Sequence, residues 1–437
     1  MHFFYTLKTN MEESIATLRR LLPEGGEILR DLHVGVPPPD INDDLVLCRS
    51  DTSKVSVLLQ DSTRVLKMLR DRFVKVGIWV ARDRGTGDIV SYDYDAHNDL
   101  EDKLFQEHVA LSSVTVAQEH GLLLHLHDRR QLECTEFLHE VMVGAAMSRA
   151  LTGITPHVTQ TLAAHVHEGR GYLVMQRAHG TLREALMDNI TPMRRLGPTQ
   201  VAIMYFQIMH AVACAQAAVK FKHHDLHLGN VFLHDTPDAW RGATHLAYTV
   251  GSSTYYLPNT VGVMPCLSDF GLASVELRSG VRLARADLEE FGNSDRETWG
   301  EWTPKLDGQR GYDLQVLFAD LSDMRRCRLF RNAKLQSLHA RLHRECNRGG
   351  GVCAQRPSQV CDMPPSAALQ AVFSGSPEPD AWWDFRQRPP APAVVVHVAS
   401  VPLEPLPPGC EVLGVDGGKK NAKPAWGTRN KKMKPCF

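Results

Sequence analysis

Residues 223–230 read HHDLHLGN, and residues 267–271 read LSDFG. A nearly unbroken apolar run, TQVAIMYFQIMHAVACAQAAVKF (199–221), leads into the first motif, and VFL (231–233) leads out of it. That pattern predicts a buried helix, a polar loop and then a strand. The residue types in the loop have a chemical use. Moving a phosphoryl group needs a carboxylate beside the attacking hydroxyl, and a carboxylate with an amide to hold Mg²⁺. Asp225, Asp269 and Asn230 supply those three groups. A helix end with polar capping residues would carry similar letters, but it would not call for a strand immediately afterwards.

The totals set the frame. A chain of 437 residues exceeds one small core, so a two-part body with extensions suits it. Lys and Arg number 49 against 50 Asp and Glu, so no global field favours nucleic acid or an anionic membrane. Hydrophobic residues make up 43%, which excludes wholesale disorder. Ten scattered cysteines read as a reduced intracellular protein, in cytoplasm or nucleus, rather than a disulfide framework. No signal-peptide pattern is found near MHFFYTLKTNMEES, and no stretch looks apolar enough to span a bilayer, so no membrane partner is expected.

Outward from the motifs, 45–69 (LVLCRSDTSKVSVLLQDSTRVLKML) predicts two or three antiparallel strands. ECTEFLHEVMVGAAMSRAL (133–151) predicts a helix whose small residues pack closely. A strand pair around HEGRG and a second buried helix over 311–324 are also expected. Residues 1–44 read as a leader segment, 70–130 as an insertion, and 389–437 as a Pro-rich, then basic, extended tail. The stretch 235–262, between the two motifs, reads as a further insertion.

In this order the chain resembles the protein kinase superfamily, over roughly 45–385. HHDLHLGN matches the catalytic-loop pattern and LSDFG the metal-binding one. The flavour of D-L-H-L-G-N, FLHEVMVG and YDLQVLFADL is similar to the divergent kinases of large DNA viruses, which would place the protein in a host cell. The resemblance implies an α+β bilobal fold, with a small β-rich lobe over 45–178 and a larger helical lobe over 179–388. It implies ATP and Mg²⁺ as cofactors and Ser/Thr hydroxyls of protein substrates as acceptors. Asp225 would receive the hydroxyl proton, and Asn230 and Asp269 would hold the metal. Lys67 in RVLKML would grip the phosphates. Its partner would come from Glu133, Glu136 or Glu140, with Glu140 the best placed. Laying the glycine-rich loop on CRSDTSKV puts Cys48, Ser50 and Ser53 where glycines are usual and ends at Val55. Met175 would close the back of the adenine pocket, and Gln176, Arg177 and Ala178 would offer backbone hydrogen bonds. Asp313 would hold the catalytic-loop backbone.

The departures are equally definite. His224 stands where an arginine is usual, so control by loop phosphorylation is not implied. His227 stands where a lysine is common, and no A-P-E follows. A competing register takes LLLHLHD as the third strand and His125 as the lysine position. Two other readings use the same residues: a pseudokinase scaffold, and a small-molecule phosphotransferase of the aminoglycoside or choline type. His343, Cys346, Cys353 and Cys361 miss the spacing of structural zinc sites. The tail's KKNAKPAWGTRNKKMK suggests binding to import machinery, while one basic segment with few aromatics is too little for nucleic-acid binding.

Overall fold

In this computed structural model the described residues are 11–39 (without 13, 17, 21 and 23), 41–49, 54–59, 64–69, 75–83, 126–187 (without 169), 196–278, 282–284, 310–323, 332–346, 363–374 and 382–404. The fold is mixed α and β, with several small sheets.

Helical residues 11–12, 14–16 and 18–20 and the short α1 (Gly25–Ile28) precede β1 (Leu32–Val34). Then come β2 (Ile41–Arg49), β3 (Lys54–Leu59) and β4 (Arg64–Leu69), an antiparallel meander. Val and Leu at alternate positions suit such a pleat. Among the described residues, β5 (Lys75–Asp83) and β6 (Leu126–Thr135) pair only with each other and form an antiparallel ribbon. The ribbon leads into α2 (Glu136–Leu151), which is capped by the Thr135 hydroxyl accepting from the Leu138 N–H at 3.1 Å. β7 (Thr161–His167) and β8 (Arg170–Gln176) complete a six-stranded sheet in the order β1-β7-β8-β4-β3-β2.

α2 sits close to this sheet because Gly144 has no side chain. A Cβ there would meet Thr161 Oγ1 at 2.6 Å. The small residues expected in the middle of this helix are therefore a contact surface.

Beyond β8, β9 (Gly180–Thr181) and α3 (Leu182–Leu186) lead to α4 (Pro198–Val219). α4 is apolar nearly all round and lies at the centre of the larger core. It has the length and composition to cross a membrane, contrary to the expectation that no stretch does. Its cover is the fold itself, with 89% of its most apolar window buried.

β10 (Val231–Asp235) follows HHDLHLGN. β11 (His245–Val250) and β12 (Ser253–Pro258) form a hairpin, and β13 (Val263–Leu267) returns antiparallel to β10. β14 (Val275–Glu276) and β15 (Arg282–Leu283) form a small pair, followed by α5 (Tyr312–Asp323), α6 (Ala333–Cys346), α7 (Pro365–Phe373) and β16 (Val395–Val401). Phe206 on α4 joins several of these through ring contacts. Its centroid lies 5.5 Å from Tyr248, 5.1 Å from Tyr255, 5.1 Å from Phe373 and 6.3 Å from Phe385.

Three sequence boundaries are corrected. Residues 11–34 of the expected leader segment belong to the body instead, because Met11, Ile15, Leu18, Leu22 and Leu29 are buried in the core and β1 pairs parallel with β7. Their apolar spacing is that of a packed helix. The tail begins later than 389, since β16 adds a parallel strand to the β11–β12 hairpin and buries Ala399 and Val401. The alternation in VVVHVASV was hidden between prolines. Finally, LLLHLHD is not the third strand of the main sheet. Its last three residues begin β6, in the ribbon, and His125 lies outside the described residues.

Candidate functional site

β10 and β13 explain why two motifs far apart in sequence meet. Val231 pairs with Leu267 at the end of their ladder, and the Ser268 N–H donates to the Asn230 carbonyl at 3.0 Å. Asn230 and Asp269 thus leave the same end of one antiparallel pair, and the hairpin insertion loops out from the other end. Its length is irrelevant to the site.

The backbone of HHDLHLGN is tied inward. Asp313 on α5 accepts the N–H of His223 at 2.8 Å and of His224 at 3.0 Å. Burial raises this carboxyl above the ordinary carboxylate range, while the His223 charge and the two N–H groups pull the other way. His224 takes a left-handed backbone with φ 63°, and Asp269 does the same with φ 61°. Each conformation costs about 1–3 kcal/mol for a non-glycine residue, so the surrounding bonds must impose it. His223 Nε2 donates to the Ser268 carbonyl at 2.8 Å, just before Asp269. His224 Nε2 lies 3.0 Å from the Ser274 hydroxyl. Phe270 packs against Phe221 and His223, both at 6.0 Å between ring centroids.

Asp225 is partly open to solvent. The Asn230 amide donates to the Asp225 carbonyl at 2.9 Å and to its carboxylate at 3.3 Å. His227 Nδ1 accepts the Gly229 N–H at 3.0 Å, which leaves the ring proton on Nε2. Nε2 then lies 3.8 Å from Asp225 Oδ2. Gly229 permits this ring position, because a Cβ there would stand 2.8 Å from the His227 Cε1.

Lys67 approaches from the other side. It sits on β4 opposite Ser56 and Leu173, buried, with Nζ 2.7 Å from Glu140 Oε1 and 3.0 Å from Asp269 Oδ1. Of the three glutamates considered, Glu140 makes this contact. Glu133 belongs to β6 and Glu136 to the first turn of α2. The residue before Glu140 adds a link that the sequence did not suggest. His139, fully buried, donates from Nε2 to the Ala273 carbonyl at 2.9 Å, joining α2 to the chain after Asp269. Only its place beside Glu140 could have drawn notice.

The expected adenine edge lies at the end of β8. Met175 is buried and paired with Val65, and Gln176 and Ala178 follow on the strand exit. The Arg177 carbonyl is already taken by His234 Nδ1 at 3.1 Å, with Thr159 Oγ1 3.0 Å from the other ring nitrogen. Burial pushes the His234 pKa down to about 4, so it acts as a neutral clamp behind this edge. Val55 lies in β3 opposite Met68. Ser50 and Ser53 lie outside the described residues.

Among the described residues, no cluster of three or more His, Cys, Asp and Glu is arranged to hold a metal. The Asn230 amide oxygen and the Asp269 carboxylate are hard oxygen donors. That partial set suits Mg²⁺, which takes one or two protein ligands and completes its shell with phosphate and water. The residues present therefore fit the ion. No family model matches the chain, and no curated protein matches it at a significant level.

Proposed function

We propose that the protein is a bilobal, protein-kinase-like phosphotransferase that moves the γ-phosphoryl of ATP to Ser or Thr hydroxyls of protein substrates. One observation carries the reading. Lys67 meets Glu140 and Asp269, which lie 73 and 202 residues away in sequence, in one buried junction. A core strand lysine paired with a helix glutamate would serve stability alone. The same lysine shared with the carboxylate of DFG places a cation beside a metal-binding group, as phosphate binding requires.

In this reading Lys67 holds the non-transferred phosphates and Glu140 holds Lys67. Asp225 orients the acceptor hydroxyl and takes its proton, and the Asn230 amide keeps the Asp225 carboxylate in place. Asn230 and Asp269 would hold Mg²⁺, which supplies charge neutralisation on the phosphates. Most of the rate would come from positioning and preorganised charge.

The test is transfer from γ-labelled ATP·Mg²⁺ to the chain itself and to generic protein acceptors, with nucleotide-dependent thermal shift alongside. Transfer by the parent should fall about 10²–10⁴-fold in Asp225→Ala, the range for losing a proton-accepting group. Lys67→Met should also abolish the nucleotide shift. A shift without protein phosphorylation would redirect the reading to small-molecule acceptors. Neither shift nor transfer would make the site a pseudokinase scaffold.

A further inference from the structure

α2 has more buried surface than the sheet alone can cover. Eleven of its 16 residues are buried, from Phe137 to Leu151, and a helix apolar on all sides needs partners on more than one. One side faces Thr161 and Phe270 across Gly144. The N-terminal segment adds a second cover. Met11, Ile15, Leu18 and Leu22 recur at helical spacing and are at most 5% exposed, with Ile28 and Leu29 buried after them. Met11 Sδ reaches the Thr135 hydroxyl, the cap of α2, at 4.0 Å. Glu27 reaches Arg149, in the last turn of α2, at 3.7 Å. Between those points α1 packs on α2. The segment therefore touches both ends of a helix about 24 Å long.

It is also fastened to the sheet that carries Lys67. β1 pairs with β7, the Ala164 N–H donates to the Asp31 carbonyl at 2.9 Å, and the Gly35 N–H donates to Val166 at 2.8 Å. A closed circuit results: the sheet holds β1, β1 leads back to α1, α1 holds α2, and Glu140 on α2 returns to Lys67 on β4. A 2.7 Å ion pair does not survive a tilt of several ångström, so whatever fixes both ends of α2 fixes this contact.

We infer that residues 11–34 are a built-in brace that positions Glu140 against Lys67, so that the chain holds its phosphate-binding lysine in place without a partner subunit. The inference rests on the phosphotransferase reading for its consequence, but not for its mechanics.

The experiment uses the full chain and Leu18→Ala, with Met11→Ala as the milder variant should the first fail to fold. Backbone hydrogen exchange is followed in 136–151 and in 198–219, and kcat and acceptor KM are measured per folded molecule. We expect exchange in 136–151 to rise about tenfold or more while 198–219 stays protected, with kcat falling about tenfold at unchanged acceptor KM. Unchanged exchange in α2, an equal rise in both helices, or an unchanged kcat would each overturn the brace. Absence of transfer by the parent would sink the phosphotransferase reading instead, and the exchange comparison would still decide the brace.

Discussion

The HHDLHLGN half of the site and the Lys67 half are held by different physics. Asp225, Asn230 and Asp269 are placed by a strand ladder, by backbone hydrogen bonds and by one buried carboxylate that grips two N–H groups. Lys67 and Glu140 come from separate elements and meet through an ion pair, with α2 itself held from outside by the N-terminal segment. The first half is a rigid corner of a large core. The second is an adjustable joint, whose geometry depends on where a helix is pressed. Acid should weaken the first and single substitutions the second.

The largest expected effect is acid sensitivity of the large core. Burial holds His157 down to about 3, and His210, His234 and His339 to about 4. These groups stay neutral in the folded chain, whereas their unfolded counterparts take protons below about 6.5. Stability they contribute is fully present above that pH and is lost as pH falls, by about 1.4 kcal/mol per pH unit for each histidine. Urea midpoints at pH 7.5, 6.0 and 5.0 measure this. A midpoint that stays flat over that range would remove the contrast between the halves.

Next comes the joint. Removing one member of a buried ion pair costs about 3–5 kcal/mol, because the other charge stays buried. Lys67→Met removes the cation from both Glu140 and Asp269, while Glu140→Gln leaves Lys67 its bond to Asp269. Lys67→Met should therefore destabilise more in denaturant titration. It should also lower transfer about 10²–10³-fold, as loss of one preorganised donor does. Equal destabilisation would mean that Asp269 contributes little to holding the lysine.

Asp313→Asn probes the rigid corner more gently. The amide can accept from one of the two N–H groups and must present its own NH₂ to the other, a loss of about 1–3 kcal/mol for a buried unpaired group. Hydrogen exchange at the His223 and His224 amides should quicken with little change in α2. A response confined to α2 would invert the comparison.

Much of the corner was legible because its signals are local. An apolar run, a polar octet and a strand fix HHDLHLGN between α4 and β10, whereas Lys67 and Glu140 were singled out by the resemblance to kinases and not by periodicity. What escaped was long-range and edge-bound. Nothing in MEESIATLRRLL says that its apolar face meets α2 rather than solvent. VVVHVASV was outvoted by the prolines around it. His139 and His234 carried no signal in the sequence, and only the fold shows each bound to a particular carbonyl. Composition cannot report a partner that pairing brings from a distant segment.

The smallest effect separates two roles of His227. Its Nδ1 accepts the Gly229 N–H and so caps the turn over 228–230, while Nε2–H points toward the Asp225 carboxylate. Asparagine can reproduce the capping acceptor but cannot reach as far as Nε2. Glutamine can place an N–H near Nε2 but caps poorly. If the ring serves the reacting groups, His227→Asn should keep stability within about 1 kcal/mol and lose about tenfold in kcat. His227→Gln should then keep kcat and lose about 1 kcal/mol of stability. The opposite assortment would make His227 a cap that happens to lie beside Asp225. In that case Gly229→Ala, which crowds the ring, should cost stability without changing the rate per folded molecule.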